Sequence, residues 1–407
     1  MRESRFARQA ISLKRWIWLI FISALTLTGA YLAGTYTLAT VLKNAKPDQA
    51  FALAPWDGDV AARYARTQVP TRPDSAQSFR TDQIAKYALH KDGIALDALV
   101  ALGLDAQIQG KPDLARRYFE LSQRLSHRDL QTNLWAIENA VAKGDVADAV
   151  RHYDIALRTS REARQLLFPV LASAITDRSI MNAMVQLLAD HPYWASDFIF
   201  FLAKDSPNPL AAATLFDRLD KVDGLVGGPA KSAIISNLIS KGKIERAWNF
   251  QASHSSGMER SRSRDPHFAN DQDSRSAFDW QLFGDSGIST SIERGMDGNE
   301  LAFSVPPGAG GLLIRQMQLL PPGSYILRSK AAGLNATESS RLQWSLTCID
   351  GRSVSQIPLN NSADEGGTTI GYFDIESDCP VQYLSLIARS SDIGISGNII
   401  EADVRPM

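Results

Sequence analysis

The pattern of apolar and polar positions changes character twice along the chain. No charged residue occurs between Trp16 and Leu42. At about 1.5 Å per helical residue, that run is long enough to cross a hydrocarbon layer of roughly 30 Å. From about Lys46 to Phe250, Ala and Leu recur at helical spacing, interrupted by turn signals at Pro, Gly and Asp. From Phe278 onward the period falls to two. Phe278, Trp280 and Leu282; Leu301, Phe303 and Val305; Tyr325 and Leu327; Leu342, Trp344, Leu346 and Cys348; and Leu384 and Leu386 alternate with polar neighbours. Turn chemistry at Pro306-Pro307-Gly308, Pro321-Pro322-Gly323, Asp350-Gly351 and Gly366-Gly367 separates these runs and predicts about eight to ten short strands. Between the two regions, Gln251 to Ala277 turns to Ser, Arg, Asp and Asn and reads as a solvated linker holding Arg260, Arg262 and Arg264. The predicted fold is multidomain α plus all-β: a basic tail (1–15), a transmembrane helix (16–42), a helical domain (46–250), a linker (251–277) and an antiparallel β-sandwich (278–407).

The flanks of the first run predict its orientation. Arg2, Arg5, Arg8, Lys14 and Arg15 precede it, whereas Lys43, Lys46 and Asp48 follow, so the N-terminus is expected in the cytoplasm and the bulk outside. Trp16, Trp18, Tyr31 and Tyr36 suit the interfacial zones. The other reading is a cleaved secretory signal, for which Thr37-Leu38-Ala39 offers a fair site, although the apolar run exceeds the usual core of such signals. The expectation is a retained single-pass anchor in the inner (cytoplasmic) membrane with a periplasmic bulk.

Within the helical region, Leu99, Leu102, Gly103, Ala106, Gly110, Ala115 and Phe119 fit two antiparallel helices, the first ending near Gly110 and the second starting after Pro112-Asp113. The outline returns at Ala136, Ala140, Gly144, Ala149, Tyr153 and Ala156; 144 minus 110 and 149 minus 115 both give 34. At these residues the chain resembles the tetratricopeptide repeat family, best over Leu96 to Thr159, less over Arg164 to Leu188 and loosely over Trp194 to Leu219. It departs from the family in lacking a bulky aromatic near Leu99 and Asn133 and a proline near His127 and Arg161, while Pro70 and Pro73 interrupt the register upstream. The resemblance implies about four or five helical pairs stacked as an α-solenoid with a concave face for a peptide or protein partner. Carried onto this chain, that groove comprises Asp97, Val100, Leu104, Gln107, Gln131, Leu134, Glu138 and Val141. Leu104, Leu134 and Val141 are equally readable as core.

The strand region resembles, in pattern alone, the jelly-roll type of carbohydrate-binding module, which implies glycan recognition. Trp280, Trp344 and Tyr325 share faces with Leu or Phe and are expected to be buried. The candidate glycan face is Arg328, Lys330, Arg341, Gln343, Tyr372, Tyr383 and Arg389, opposite the apolar rows and suited to an acidic polysaccharide; an ordinary solvated face is the other reading. Arg315 interrupts the apolar row Leu313, Met317, Leu319 and is expected to form a buried pair or to mark a groove. Cys348 shares a face with Trp344, and Cys379 precedes the strand near Val381, so a disulfide is geometrically reasonable outside the cytoplasm; two buried thiols are the alternative.

Composition narrows the chemistry. With 407 residues there is room for about two or three folding units. Forty-three Lys plus Arg against 44 Asp plus Glu, a formal charge of -1, argue against a nucleic-acid partner. The six histidines lack metal spacing. No cofactor is expected, and Asp297, Asn299 and Glu300 are the one candidate set for a structural calcium ion. Gly284-Asp285-Ser286-Gly287 matches a protease nucleophile loop in four residues only, and Gly224 through Lys231-Ser232 lacks the glycine a phosphate loop needs before Lys. The chain is therefore expected to be a membrane-anchored envelope scaffold rather than an enzyme, docking a membrane protein or other envelope-assembly partner in polysaccharide assembly or export, by architectural analogy. The alternatives are a carbohydrate-binding protein acting through its sandwich, and an enzyme whose site is unrecognised.

Overall fold

The computed structural model describes every residue except 1–2, 256, 270–274, 286, 296–297, 335–341 and 363–366; for residues 3–15 and 222–223 it describes the backbone alone. The helices are α1 (Glu3–Leu42), α2 (Pro47–Leu53), α3 (Gly58–Thr67), α4 (Ser75–Lys91), α5 (Leu96–Ile108), α6 (Pro112–Leu125), α7 (Leu130–Ala142), α8 (Val146–Thr159), α9 (Glu162–Ala174), α10 (Arg178–Ala189), α11 (Ala195–Asp205), α12 (Pro209–Asp223), α13 (Gly228–Ser240) and α14 (Ile244–Ser253). Ten strands follow: β1 (Gln281–Leu282), β2 (Ser289–Arg294), β3 (Asn299–Val305), β4 (Gly311–Gln318), β5 (Gly323–Ala332), β6 (Leu342–Cys348), β7 (Ser353–Pro358), β8 (Thr368–Ile375), β9 (Gln382–Ala388) and β10 (Ile395–Pro406). The chain forms two compact units, Met1–Leu167 and Phe168–Met407, dividing inside α9 and not at the change from helix to strand.

In the first unit, α1 includes a stretch, Trp18–Leu42, long and apolar enough to cross a membrane. Most of its large side chains are exposed, as at Trp18 (69%) and Leu27 (70%), while Ala39 and Leu42 at its end pack with Ala50, Ala54 and Val60. The hydroxyls of Thr28, Thr35, Thr37 and Thr40 donate to carbonyls four residues back, which satisfies them without water.

The helices that follow are punctuated by acidic caps: Asp57, Asp74, Asp129 and Asp145 each accept a backbone N–H in the first turn of α3, α4, α7 and α8. Two of the helical pairs recur in the same phase. α7 begins 34 residues after α5 (130 minus 96), and α8 begins 34 after α6 (146 minus 112). Both first helices end alike. Gly110 and Gly144 take left-handed φ values of 70° and 72°, and the next N–H reaches back five residues, Lys111 to Ala106 and Asp145 to Ala140, each at 2.9 Å. Gly103 lets Phe119 lie against α5, and the buried Phe119 ring stacks on Trp135 of α7 at 4.9 Å.

In the second unit, Gly242 (φ 69°) and Lys243, bonded to Leu238 at 2.8 Å, close α13 with the same turn. The stretch expected to be a solvated tether is packed in part among its described residues. Ser263 N–H donates to the Val404 carbonyl, Ala402 N–H donates to the Pro266 carbonyl, and Phe268 is fully buried 5.6 Å from Trp280. Its composition misleads because Ser263 and the Pro266 carbonyl bond to β10 and Arg264 bonds to Gln316 of β4. Arg260, Arg262 and Arg264 each meet a carboxylate, on Glu245, Glu259 and Asp279 respectively.

The strands form two antiparallel five-stranded sheets, ordered β1-β4-β9-β6-β7 and β2-β3-β10-β5-β8. Their alternating apolar faces share one core, to which Leu313, Trp344 and Leu386 come from the first sheet and Phe303, Leu327 and Val404 from the second. Trp280, Trp344 and Tyr325 are buried as the alternation predicts. Cys348 and Cys379 form a disulfide with Cα atoms 5.5 Å apart.

Candidate functional site

Two surfaces carry the residues singled out by sequence. On the helical pairs, one guanidinium ties successive first helices together. Arg66 of α3 donates to Asp97 of α5 at 2.5 Å and to Asp129, the cap of α7, at 2.8 Å; Arg63 lies 3.4 Å from Asp97. Burial alone would lower the Arg66 pKa, but the carboxylates of Asp129 and Asp97 outweigh it and raise it. Asp97 is thus largely committed to internal pairing.

Val100 is fully buried beside Phe119, so it belongs to the core and does not line a groove. The reason is helical phase: Val100 lies on the α5 face turned toward α6. Leu104 and Trp135 pack against the same cluster. Gln131 and Leu134 are half-buried, whereas Gln107, Glu138 and Val141 are exposed, Val141 at 62%. Of the eight candidate groove positions, those three are exposed.

Sequence reasoning missed Asp105. This carboxylate is 7% exposed among the apolar residues of α5 and accepts from Ser78 Oγ at 2.6 Å. It lines a cavity of about 440 Å³ with Phe79, Leu114 and Tyr118. The available signal was a lone acid in the run Leu99 to Ala106.

On the strands, the proposed single glycan face resolves into two faces on opposite sides of the common core. Arg328 and Lys330 lie on β5 and Tyr372 on β8, in one sheet; Gln343 on β6, Tyr383 on β9 and Arg389 after it belong to the other. Arg341 lies outside the described residues. Alternation distinguishes inward from outward positions but says nothing about which sheet a strand joins, so the seven residues could not be sorted by sequence.

The sheet containing β5 compensates its own charges. Arg328 is in register with Asp403 and 3.7 Å from Glu401, while Lys330 is in register with Glu401. The other sheet differs. Arg315 of β4 stands with its guanidinium 4.6 Å from the Tyr383 ring centre and 5.1 Å from that of Phe283, and its buried Nε has no hydrogen-bond partner among the described residues. Arg389 donates to Gln343 at 2.8 Å. Of the two readings for Arg315, a buried ion pair is not found among the described residues; the side chain is held by rings.

Of the calcium candidates, Asn299 and Glu300 hold other partners. Asn299 donates to the Phe268 carbonyl at 3.0 Å, Glu300 accepts from Asn398 at 2.7 Å, and Asp297 lies outside the described residues, as does Ser286. No cluster of metal-ligating side chains occurs among the described residues. Lys231 is paired with Asp220 at 2.8 Å in the first turn of α13.

No known protein family and no curated protein matches this chain. Among solved structures, it is similar to an arabinose-bound α-L-arabinofuranosidase at 16% identity, over 37% of this chain and 27% of that one, with a TM-score of 0.27. It is also similar to the enzymatically active domain of tailspike protein 4 from bacteriophage CBA120 at 14% identity, over 35% and 20%, with a TM-score of 0.25. The chain thus spans about a quarter of the length of these structures or less.

Proposed function

We propose that this chain is a single-pass scaffold of the cell envelope, held by α1 in the inner membrane with its N-terminus in the cytoplasm and its bulk in the periplasm. Its helical pairs form a tetratricopeptide-like solenoid that docks a protein partner in polysaccharide assembly or export. The anchor confines the docking surface to the membrane plane and so raises its effective concentration for a partner there. In this reading the chain binds and positions without performing chemistry. The disulfide supports an oxidising compartment, and the exposed apolar span supports the anchor. The orders β3-β10-β5-β8 and β4-β9-β6-β7 support a jelly-roll, with β1 and β2 added at the edges.

One observation carries the scaffold reading. Arg66 bridges α3, α5 and the cap of α7, a link between successive first helices that supports a stacked repeat. The test is site-specific photo-crosslinking in intact cells, with the probe at Gln107, Glu138 or Val141 of the full chain. A discrete adduct with one protein from these positions, and none from Glu120 on α6, is the expected outcome. Equal labelling from Glu120, or no adduct from any first-helix position, would overturn the assignment.

A further inference from the structure

The two sheets differ in a way that assigns a ligand to one of them. None of the strands β1, β4, β9, β6 and β7 contains Asp or Glu. The opposite sheet carries Glu293, Glu300, Asp374, Glu401 and Asp403 within its strands. Register places Gln281, Arg315, Ser385, Ser345 and Gln356 in one row across the acid-free sheet, on the side away from the core. Four inter-strand spacings give that row a span of about 19 Å.

Ser385 and Ser345 are small and nearly buried, as are Gln343 and Met317 on the same side, so the exposed part of this face lies toward Gln356 and Arg389. Arg315 stands beside Ser385, and Tyr383 and Arg389 stand on the outward side of the adjacent strand and its end. The rings of Tyr383 and Phe283 lie against the Arg315 guanidinium, which forms no ion pair among the described residues and keeps N–H groups that a carboxylate can pair in a forked geometry. A cation held by rings, with no carboxylate on its own sheet, is matched by an anion from outside.

From this juxtaposition we propose that the outer face of the β1-β4-β9-β6-β7 sheet binds an acidic polysaccharide, with Arg315 pairing a uronate carboxylate. Tyr383 and the Ser and Gln side chains of the row contact the sugar rings and hydroxyls. Two cations among hydroxyl and amide groups suit a hydroxyl-rich polymer of moderate charge density better than a nucleic acid, whose binding needs many more phosphate contacts. This proposal concerns a separate surface and does not depend on protein docking by the helical pairs.

The test uses the full chain in detergent, titrated calorimetrically with alginate oligomers, neutral dextran oligomers and poly-L-glutamate. Alginate binding that weakens with salt is expected, with affinity falling about tenfold or more in Arg315→Gln and Tyr383→Ala and by less than about twofold in Arg328→Gln. Arg389→Gln, at the rim, is expected to weaken binding about threefold without altering the melting temperature, which separates recognition from folding if Arg315→Gln proves unstable. Absence of alginate binding, equal binding of dextran, equally tight binding of poly-L-glutamate, or an equal loss in Arg328→Gln would each overturn the proposal.

Discussion

Arg66 joins three helices of the first unit through Asp97 and Asp129. Removing it leaves Asp97 with only the longer contact from Arg63, and Asp129 with the hydrogen bonds from Thr132 but no cation. Asp129 is 7% exposed at its side chain, so its uncompensated charge cannot be relieved by solvent. Arg66→Ala is expected to destabilise the unit by about 2 kcal/mol, below the cost of breaking a fully buried pair because the guanidinium is partly solvated. Chemical denaturation of the full chain in detergent checks it. His152 makes a second residue-scale prediction. Burial pushes its pKa below the ordinary value, and Arg151 adds to that effect. The unfolded chain therefore takes up a proton before the folded one does. Stability is complete above about pH 6.5 and is lost as pH falls from there toward the lower folded value. His152→Gln is expected to flatten that acid-side loss in denaturation curves at pH 7.5 and 5.5.

At the scale of elements, the 34-residue offset of the two helical pairs was legible because it depends on small residues with strong local preferences. Gly110 and Gly144 take backbone angles that any side chain would strain, and Gly103 sits where a Cβ would come within 2.9 Å of Phe119. Gly110→Ala is expected to cost about 1 kcal/mol and Gly103→Leu about 1 to 3 kcal/mol, both measured by thermal unfolding. Helical phase around the axis was less legible. Val100 and Asp105 sit in one apolar-rich helix, and only the arrangement of α4 and α6 decides that the first is core and the second borders a cavity. Strands posed the complementary problem. Their inward and outward positions were readable, whereas the partners of Arg328 and Arg315 depend on pairings between strands far apart in sequence, such as β5 with β10.

For the molecule as a whole, local composition located the apolar span and the switch from helix to strand, because both are set by short-range periodicity. It misread 251–277, where Ser263, Arg264 and Phe268 are fixed by contacts with residues up to 141 positions away. The Cys348–Cys379 pair closes a separation of 31 residues, and its replacement by serines is expected to lower the stability of the strand region by about 3 to 4 kcal/mol in the chain-entropy account. Compartment underlies that bond and the scaffold role alike, and protease added to intact spheroplasts producing the full chain tests it most directly. The account predicts digestion of nearly everything beyond Leu42, sparing only a small N-terminal fragment in the membrane. Survival of the full-length chain, with Cys348 and Cys379 reactive to a thiol reagent once the cells are lysed, would contradict it.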